Sequence, residues 1–335
     1  MSIGDLHCPE CSCSVKEREE ECPRCCLDRP DTGWPVDPMV GELLAARYRI
    51  DSRLGGGGMG MVYRGARVGL DGPVAIKLLF EQFAGSVIAS RFKREAQVVA
   101  RLQNPHVVRL MDFGITEEGR LFQVMELVEG DTLEDHLKQQ GPLQPREVVA
   151  LLDQVCEALA EAHSKGIVHR DLKPANIILV PQRNESFVKV LDFGIAGIVS
   201  GTPGESKLTQ TGMVQGTPHY MSPEQVLGKG GIDHRTDIYA LGIIAYELLS
   251  GSPPFRGETS VEVMVQHVRN EPTLLSEALP EGAAPPKLEA LVAGMLAKDP
   301  DARPADVRHV QDSLAAILEF IVAEAAQGRG PSGLT

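Results

Sequence analysis

Two short polar segments contain the side chains best suited to chemistry. The first, residues 169–176 (HRDLKPAN), places one carboxylate, two cations and one amide in a turn. The second, residues 192–194 (DFG), adds another carboxylate directly after an apolar stretch. Phosphoryl transfer needs a carboxylate facing the attacking hydroxyl, a cation on the transferred phosphate and oxygen ligands for magnesium. The residue types in these two segments match those requirements.

Two predicted strands hold the polar segments together. Branched apolar residues at 177–180 predict one strand, and residues 187–191 predict a second that leads into Asp192. If these strands form a hairpin, Asp171, Asn176 and Asp192 lie at one end of it.

A glycine-rich stretch, residues 54–60, lies between strands predicted at 48–50 and 61–63. Its Gly-x-Gly-x-x-Gly spacing could open a dinucleotide-binding helix, but the chain continues as a strand and reaches another strand at 74–77. A hairpin folded over phosphate groups fits better, because bare glycine backbone lets N–H groups approach oxygen closely. The absence of a Gly-x-x-x-x-Gly-Lys-Ser/Thr sequence disfavours a Walker-type NTPase.

Lys77 ends an apolar strand, where a charge is costly unless it is paired. Glu95 lies on the apolar face of the next predicted helix, together with Phe92 and Val99. A carboxylate on an inward face favours a nearby cation, so Lys77 and Glu95 are predicted to pair. The alternative is two independent charges that reach solvent.

These motifs resemble those of the eukaryotic-like serine/threonine protein kinases of bacteria. The resemblance covers roughly residues 48–320. It implies an α+β, bilobal protein-kinase fold, with an antiparallel β-rich N-terminal lobe and a mainly helical C-terminal lobe. The implied activity is transfer of the γ-phosphate of ATP to protein hydroxyls, with Mg²⁺ or Mn²⁺.

The resemblance assigns roles to the polar segments. Asp171 would orient the substrate hydroxyl and accept its proton, while Lys173 would stabilise charge on the γ-phosphate. Asn176 and Asp192 would hold the magnesium ion. Asp237 would brace the backbone of the catalytic loop.

Nucleotide contacts are implied in the same way. Lys77, fixed by Glu95, would position the α- and β-phosphates, and Met125 would be the gatekeeper beside adenine. Further contacts would come from Leu54, Gly55, Gly57, Gly60, Val62, Ala75, Glu126 and Val128.

Residues 194–224 correspond to the family's activation loop. Thr209 and Thr211 lie where phosphorylation would help, since Arg170 beside the catalytic aspartate offers a guanidinium to a phosphate. The alternative is two ordinary exposed threonines. Self-association for trans-autophosphorylation is an expectation of the same kind.

Residues 216–224 match the family's substrate-binding segment, which implies protein substrates. Lys173 together with Thr217 is typical of Ser/Thr rather than Tyr kinases. Glu224 would pair with Arg303. A small-molecule kinase is disfavoured by this segment. A pseudokinase, which usually lacks the strand lysine or one of the two aspartates, is disfavoured because all three are present.

Six of the seven cysteines crowd into the N-terminal region. Cys8 and Cys11 form one Cys-x-x-Cys pair, and Cys22 and Cys25 form another. The two-residue gap lets both thiolates of a pair turn toward one ion, and four thiolates make a closed, tetrahedral structural zinc site. The segment resembles a zinc ribbon, although Cys13, Cys26 and His7 are alternative ligands. A disulfide cluster, which a cytosolic chain disfavours, and a disordered tail are the alternatives to a zinc site.

Composition narrows the function classes. With 335 residues, 43% of them hydrophobic, the chain can build a sizeable core. Its net charge of −13 argues against a non-specific nucleic-acid binder. No signal peptide is evident, and the longest apolar stretch, residues 238–249, is too short for a membrane span. We expect a cytoplasmic protein with these parts: a zinc-ribbon-like segment (1–28), a linker (29–47), a kinase domain (48–320), and a helix end with a disordered tail (321–335).

Overall fold

Two units, each with its own hydrophobic core, make up the described part of the chain. Unit 1 comprises Met1–Arg101 and Arg109–Val128, and unit 2 comprises Leu102–Val108 and Glu129–Thr335. The structure is a computed structural model that describes residues 6–8, 14–15, 18–22, 27–31, 33, 35–57, 60–69, 72–83, 86–182, 186–193, 218–228, 232–280 and 283–326.

Unit 1 is built on a six-stranded antiparallel sheet with a separate two-stranded pair near the N-terminus. Its strands are β1 (Leu6–His7), β2 (Ser14–Val15), β3 (Leu43–Leu44), β4 (Tyr48–Gly57), β5 (Gly60–Arg67), β6 (Pro73–Leu79), β7 (Leu110–Ile115) and β8 (Leu121–Glu126). The pair is β1-β2, and the large sheet has the order β3-β4-β5-β6-β8-β7.

The core of unit 1 follows from the apolar side chains on one face of this sheet. Ile50, Tyr63, Ile76 and Phe122 are at most 2% exposed and pack in one cluster. Helix α1 (Ser86–Val99) lies against β7, where Phe92 meets Phe113 edge-on at 6.3 Å between ring centroids. The strands predicted at 48–50, 61–63 and 74–77 are all present.

Unit 2 is mainly helical. Its helices are α2 (Leu133–Gln140), α3 (Pro145–Ser164), α4 (Pro223–Leu227), α5 (Arg235–Ser250), α6 (Ser260–Arg269), α7 (Leu275–Ala278), α8 (Pro286–Met295) and α9 (Val307–Ala326). A small antiparallel sheet of β9 (Asp131–Thr132), β10 (Ile177–Pro181) and β11 (Ser186–Val190) has the order β11-β10-β9. No helix within the described ranges is long and apolar enough to cross a membrane.

Part of the segment predicted as a linker packs into unit 1. Leu43–Leu44 forms β3 and pairs with β4, and Leu44 is 4% exposed. Asp37 is also buried, at 3% exposed. Residues 35–47 therefore contribute to the fold of unit 1 as well as connecting two segments.

A buried ion pair fastens the short helix α4 to the rest of unit 2. Both terminal nitrogens of Arg303 donate to the Glu224 carboxylate, each at 2.8 Å, and the Arg303 side chain has no exposed surface. The guanidinium also donates to the backbone carbonyls of Arg235 and Ala297. The pairing of Glu224 with Arg303 that the resemblance implied is confirmed.

Arg303→Ala is expected to lower the free energy of unfolding of unit 2 by about 3–5 kcal/mol, because it leaves the Glu224 carboxylate, on a side chain only 14% exposed, without its cation. Chemical denaturation followed by circular dichroism measures the loss. Lys138→Ala is the control, since Lys138 and Glu134 form an exposed pair at 3.0 Å whose removal costs at most about 1 kcal/mol. Equal effects of the two variants would contradict the role assigned to the buried pair.

Candidate functional site

The two polar segments meet at one end of the β10–β11 hairpin in unit 2. Residues 169–176 lead directly into β10, whose first residue pairs with the last residue of β11. The Leu191 N–H then donates to the Asn176 carbonyl at 2.8 Å. This backbone bond holds the start of the second segment, at Asp192, beside the end of the first.

Asp171, Lys173 and Asn176 form one hydrogen-bonded cluster. The Lys173 ammonium donates to Asp171 Oδ2 at 2.8 Å. The Asn176 amide nitrogen donates to the Asp171 backbone carbonyl at 2.8 Å and lies 3.4 Å from Asp171 Oδ2. The structure therefore places the predicted carboxylate, cation and amide together, with the carboxylate half-buried.

His169 ties the two segments to each other. Its Nε2 lies 2.8 Å from the Leu191 carbonyl, which can only accept, so this nitrogen carries a proton. Its Nδ1 accepts from the Asp171 N–H at 3.3 Å, which assigns the neutral Nε2–H tautomer. The ring is fully buried and lies edge-on to Phe193, with 4.9 Å between centroids. His169 thus fixes the backbone of Asp171 relative to the second segment.

The Asp237 carboxylate, fully buried in α5, braces the backbone of residues 169–170 as the resemblance implied. Oδ2 accepts from the His169 N–H at 2.8 Å and from His163 Nε2 at 2.8 Å, while Oδ1 accepts from the Arg170 N–H at 2.9 Å. Burial by itself raises the pKa of Asp237, but the bonds from His163 and the Arg170 backbone outweigh it and lower the pKa below its ordinary value.

Arg170 and Asp192 hold unusual backbone conformations. Their φ angles are 64° and 60°, in the left-handed region that residues other than glycine rarely adopt. Besides the bond to Asp237, the Arg170 backbone is held by Gln225, whose Nε2 donates to its carbonyl at 2.8 Å. Both polar backbone groups of Arg170 are therefore bonded, which stabilises the bend that presents Asp171.

Sequence reasoning assigned no role to His163 or Gln225. Their partners lie 74 and 55 residues away in the chain, so no local spacing connects them to the catalytic segment. Only the contacts in the folded unit reveal these roles.

The residues predicted to contact nucleotide lie in unit 1. Lys77 is on β6, is 8% exposed and is opposite Val62 in the sheet. Glu95 is half-buried on α1. The others lie on β4 (Leu54, Gly55, Gly57), β5 (Gly60, Val62), β6 (Ala75), β8 (Glu126) and the stretch after it (Val128).

Glycine is sterically required at position 60. A Cβ built there would lie 2.2 Å from the Leu78 carbonyl oxygen, which belongs to the neighbouring strand. Gly57 and Gly60 are direct partners across β4 and β5, which are antiparallel neighbours in the sheet. The pairing of these two strands agrees with the predicted hairpin.

One cysteine from each Cys-x-x-Cys pair lies in a common buried cluster. Cys8 and Cys22 are 0% and 1% exposed and pack with Val15. Cys11, Cys25, Thr209 and Thr211 lie outside the described residues. Within the described ranges, no group of three or more His, Cys, Asp or Glu side chains is arranged to hold a metal ion.

Comparison with known proteins covers most of the chain. A family model described as "Protein kinase domain" matches residues 48–314. Serine/threonine-protein kinase pkn3 of Myxococcus xanthus is 41% identical over 290 residues, which are 86% of this chain and 52% of that protein. Serine/threonine-protein kinase PknL of Mycobacterium tuberculosis is 40% identical over 285 residues, or 84% of this chain and 68% of that protein. This chain therefore spans about half the length of pkn3.

A solved structure of a kinase domain is also similar to this chain. The crystal structure of the Mycobacterium tuberculosis PknI kinase domain is similar to this chain with a TM-score of 0.65 and 28% sequence identity. The match covers 84% of this chain and 99% of that one.

Asp237→Asn is expected to lower the free energy of unfolding of unit 2 at pH 7 by about 1.5–3 kcal/mol, because bonds from N–H donors to a charged acceptor are lost. The folded-state pKa of Asp237 is lowered, so the stabilisation is complete above the unfolded pKa of about 3.9 and disappears as pH falls through the folded pKa. The difference between variant and wild type should therefore shrink below about pH 4.

Urea denaturation at a series of pH values measures this difference. Asp312→Asn, which changes an exposed carboxylate on α9, is the matched control and should follow the wild-type curve. A constant gap between Asp237→Asn and wild type across the whole pH range would show that the carboxylate charge is not what braces the loop.

Proposed function

The chain belongs to the protein kinase family, and from that premise we propose that it transfers the γ-phosphate of ATP to serine and threonine hydroxyls of proteins in bacterial signalling. The observation that carries the proposal is the cluster of Asp171, Lys173 and Asn176, in which carboxylate, ammonium and amide are bonded within one loop. Bacterial relatives named serine/threonine-protein kinases support the choice of Ser and Thr as acceptors.

Asp171 orients the acceptor hydroxyl and takes its proton as the phosphoryl group is transferred. Lys173, 2.8 Å from this carboxylate, is positioned by it and stabilises negative charge on the γ-phosphate. Because the transition state of phosphoryl transfer is loose, positioning and electrostatic stabilisation supply most of the acceleration. The rigid bracing of the loop by Asp237 serves that positioning.

Asn176 and Asp192 are the residues that would hold Mg²⁺ or Mn²⁺. The donor set fits, since carboxylate and amide oxygens are the ligands that these hard cations prefer. The bond from the Asn176 nitrogen to the Asp171 carbonyl orients the amide and leaves its oxygen as the ligand atom. When bound, the metal neutralises the phosphate oxygens.

The unit 1 residues bind ATP in this proposal. The glycine-rich hairpin, residues 54–60, cradles the phosphates with backbone N–H groups, and Lys77, paired with Glu95, positions the α- and β-phosphates. Ala75 and Val62 contact the adenine ring, with backbone groups of Glu126 and Val128 at its edge.

A pseudokinase that binds a partner without catalysis is the competing function. A pseudokinase would transfer no phosphate, whether or not it binds a nucleotide. Lys77, Asp171 and Asp192 are all present, which favours an active enzyme.

Asp192→Asn is expected to lower phosphate transfer by at least about 10³-fold, because it removes a charged metal ligand that positions the phosphates. Incorporation of labelled phosphate from Mg-ATP into a generic protein substrate measures the rate. Asp312→Asn, a charge-neutralising change at an exposed position, should retain the wild-type rate. Normal transfer by Asp192→Asn, in a protein that melts like wild type, would refute the assignment.

The same incubation tests the activation loop. Self-association would allow trans-autophosphorylation at Thr209 or Thr211, where Arg170 can pair with the phosphate. Mass spectrometry of the wild-type protein after incubation with Mg-ATP should locate phosphate on one of them. The Asp192→Asn protein, which cannot transfer, should acquire none.

We further propose that residues 1–28 form a zinc-ribbon-like segment in which Cys8, Cys11, Cys22 and Cys25 bind one Zn²⁺. The burial of Cys8 and Cys22 in one cluster supports this, because the two come from different Cys-x-x-Cys pairs. The Cys22 N–H also donates to the Leu27 carbonyl at 2.7 Å, which brings together residues on either side of Cys25 in the sequence. The metal would supply folding free energy that so small a core lacks.

Cys22→Ser is expected to remove the bound zinc, because three thiolates and a hydroxyl make a much weaker site. Elemental analysis of the purified full chain should find one zinc per wild-type molecule and almost none in the variant. Cys156→Ala, which changes a buried thiol in α3, should keep its zinc. Equal zinc content in wild type and Cys22→Ser would contradict the assignment.

A further inference from the structure

A buried charged cluster lies at the base of the glycine-rich hairpin in unit 1. The side chains of Arg53 and Asp37 are 3% and 4% exposed, and Arg53 Nη1 lies 3.3 Å from Asp37 Oδ2. The Tyr63 hydroxyl, on a residue 2% exposed, donates to the same carboxylate at 3.3 and 3.2 Å from its two oxygens. Asp37 therefore has both a buried cation and a buried hydroxyl as partners.

The protonation of Tyr63 suits this arrangement. Burial first, and then the Asp37 charge, raise the pKa of Tyr63 well above its usual value. The hydroxyl keeps its proton at physiological pH and acts as the donor.

The partners of Asp37 lie on the two arms of the hairpin. Arg53 on β4 and Tyr63 on β5 are directly opposite each other, and the strand register shifts immediately after them, between Arg53 and Gly55. One carboxylate thus joins both strands directly before a register shift, where the glycine-rich part begins. Such an irregularity locally disrupts the hydrogen bonds between the strands and bends the chain.

A second contact of Arg53 reaches the glycine-rich part of the hairpin. Arg53 Nη2 donates to the Met61 sulfur at 3.1 Å. Met61 in turn packs against Gly56, where an added Cβ would lie 2.6 Å from the Met61 methyl carbon. Arg53, held by Asp37, therefore sets the position of a side chain that covers the hairpin backbone.

Asp37 lies before the stretch that matches the protein kinase domain, which begins at residue 48. The two residues before Asp37 contact the cysteine-bearing segment. The His7 N–H donates to the Pro35 carbonyl at 2.9 Å, and Leu6 forms a β-bridge with Val36. The Met39 N–H also donates to Asp37 Oδ1, at 3.0 Å.

We propose that Asp37 is a positioning residue for nucleotide binding, through which the N-terminal segment fixes the shape of the glycine-rich hairpin. The inference rests on the proposed function, in which this hairpin cradles the phosphates of ATP. A glycine-rich hairpin loses much conformational freedom when it closes on a ligand, so ordering it beforehand raises affinity. A buried ion pair serves such a role because it specifies one arrangement of the groups around it.

Asp37→Asn is expected to raise the dissociation constant for Mg-ATP about fivefold to twentyfold, because the hairpin must then be ordered on binding. Isothermal titration calorimetry of the full chain with a non-hydrolysable ATP analogue and Mg²⁺ measures it. Hydrogen exchange of residues 54–61 should accelerate, while exchange in β6 and β8 stays at wild-type rates. Asp37→Glu, which keeps the charge, should recover part of the affinity.

Two further variants complete the test. Tyr63→Phe removes a single hydroxyl and should weaken binding about twofold to fivefold, so it carries the test if Asp37→Asn does not fold. Asp51→Asn, in the exposed pair with Arg49 at 2.6 Å on the same strand, should bind as wild type does.

A folded Asp37→Asn or Tyr63→Phe protein with unchanged affinity and unchanged exchange in the hairpin would overturn the proposal. So would a lowered melting temperature without any loss of affinity, since that result describes a purely structural pair. Failure of the wild-type protein to bind Mg-ATP would instead refute the proposed function of the hairpin.

Discussion

The backbone of residues 169–171 depends on one buried carboxylate, that of Asp237. Residues 169–171 form no repeating structure, so their backbone N–H groups lack the regular backbone partners of a helix or strand and must bond to side chains. Asp237 accepts two of these N–H groups and lies on α5, whose other side chains are almost all buried. A charge fixed on a rigid helix therefore determines the path of a loop that has no rigidity itself.

A second layer of contacts supports this arrangement from α4. Arg303 grips Glu224, and the next residue, Gln225, donates to the Arg170 carbonyl. Ser222 caps the same helix and hydrogen-bonds to Thr236 at the start of α5. The left-handed bend at Arg170 is thus held from both sides, by α5 through its N–H and by α4 through its carbonyl. These contacts with the preceding residue fix the position of Asp171.

Unit 1 solves a comparable problem by similar means. The glycines of its hairpin allow the backbone to approach a ligand closely, but they also make the chain less rigid, because glycine is the least conformationally restricted residue. Asp37 brings a carboxylate from a distant part of the chain and joins the two arms through Arg53 and Tyr63. In both units a buried carboxylate from another segment hydrogen-bonds to a stretch for which we propose a function. Its donors are buried in unit 1 and buried or partly buried in unit 2.

The sequence by itself determined the local features of this protein. Local residue patterns predicted the strands on either side of residues 54–60 and the strand after Asn176, and apolar spacing placed Glu95 on the same helix face as Phe92 and Val99. The roles of Asp237 and of Glu224 with Arg303 came from family resemblance. Tertiary structure alone identified the other side chains that hold these segments in place. His163, Gln225 and Asp37 hydrogen-bond to partners that are not their neighbours in the chain. Asp37 lies in a Pro- and Gly-rich stretch that suggests a solvated linker, and only its buried contact with Arg53 shows otherwise. Periodicity reports which face of an element is apolar, whereas pairing across the fold depends on how those elements pack.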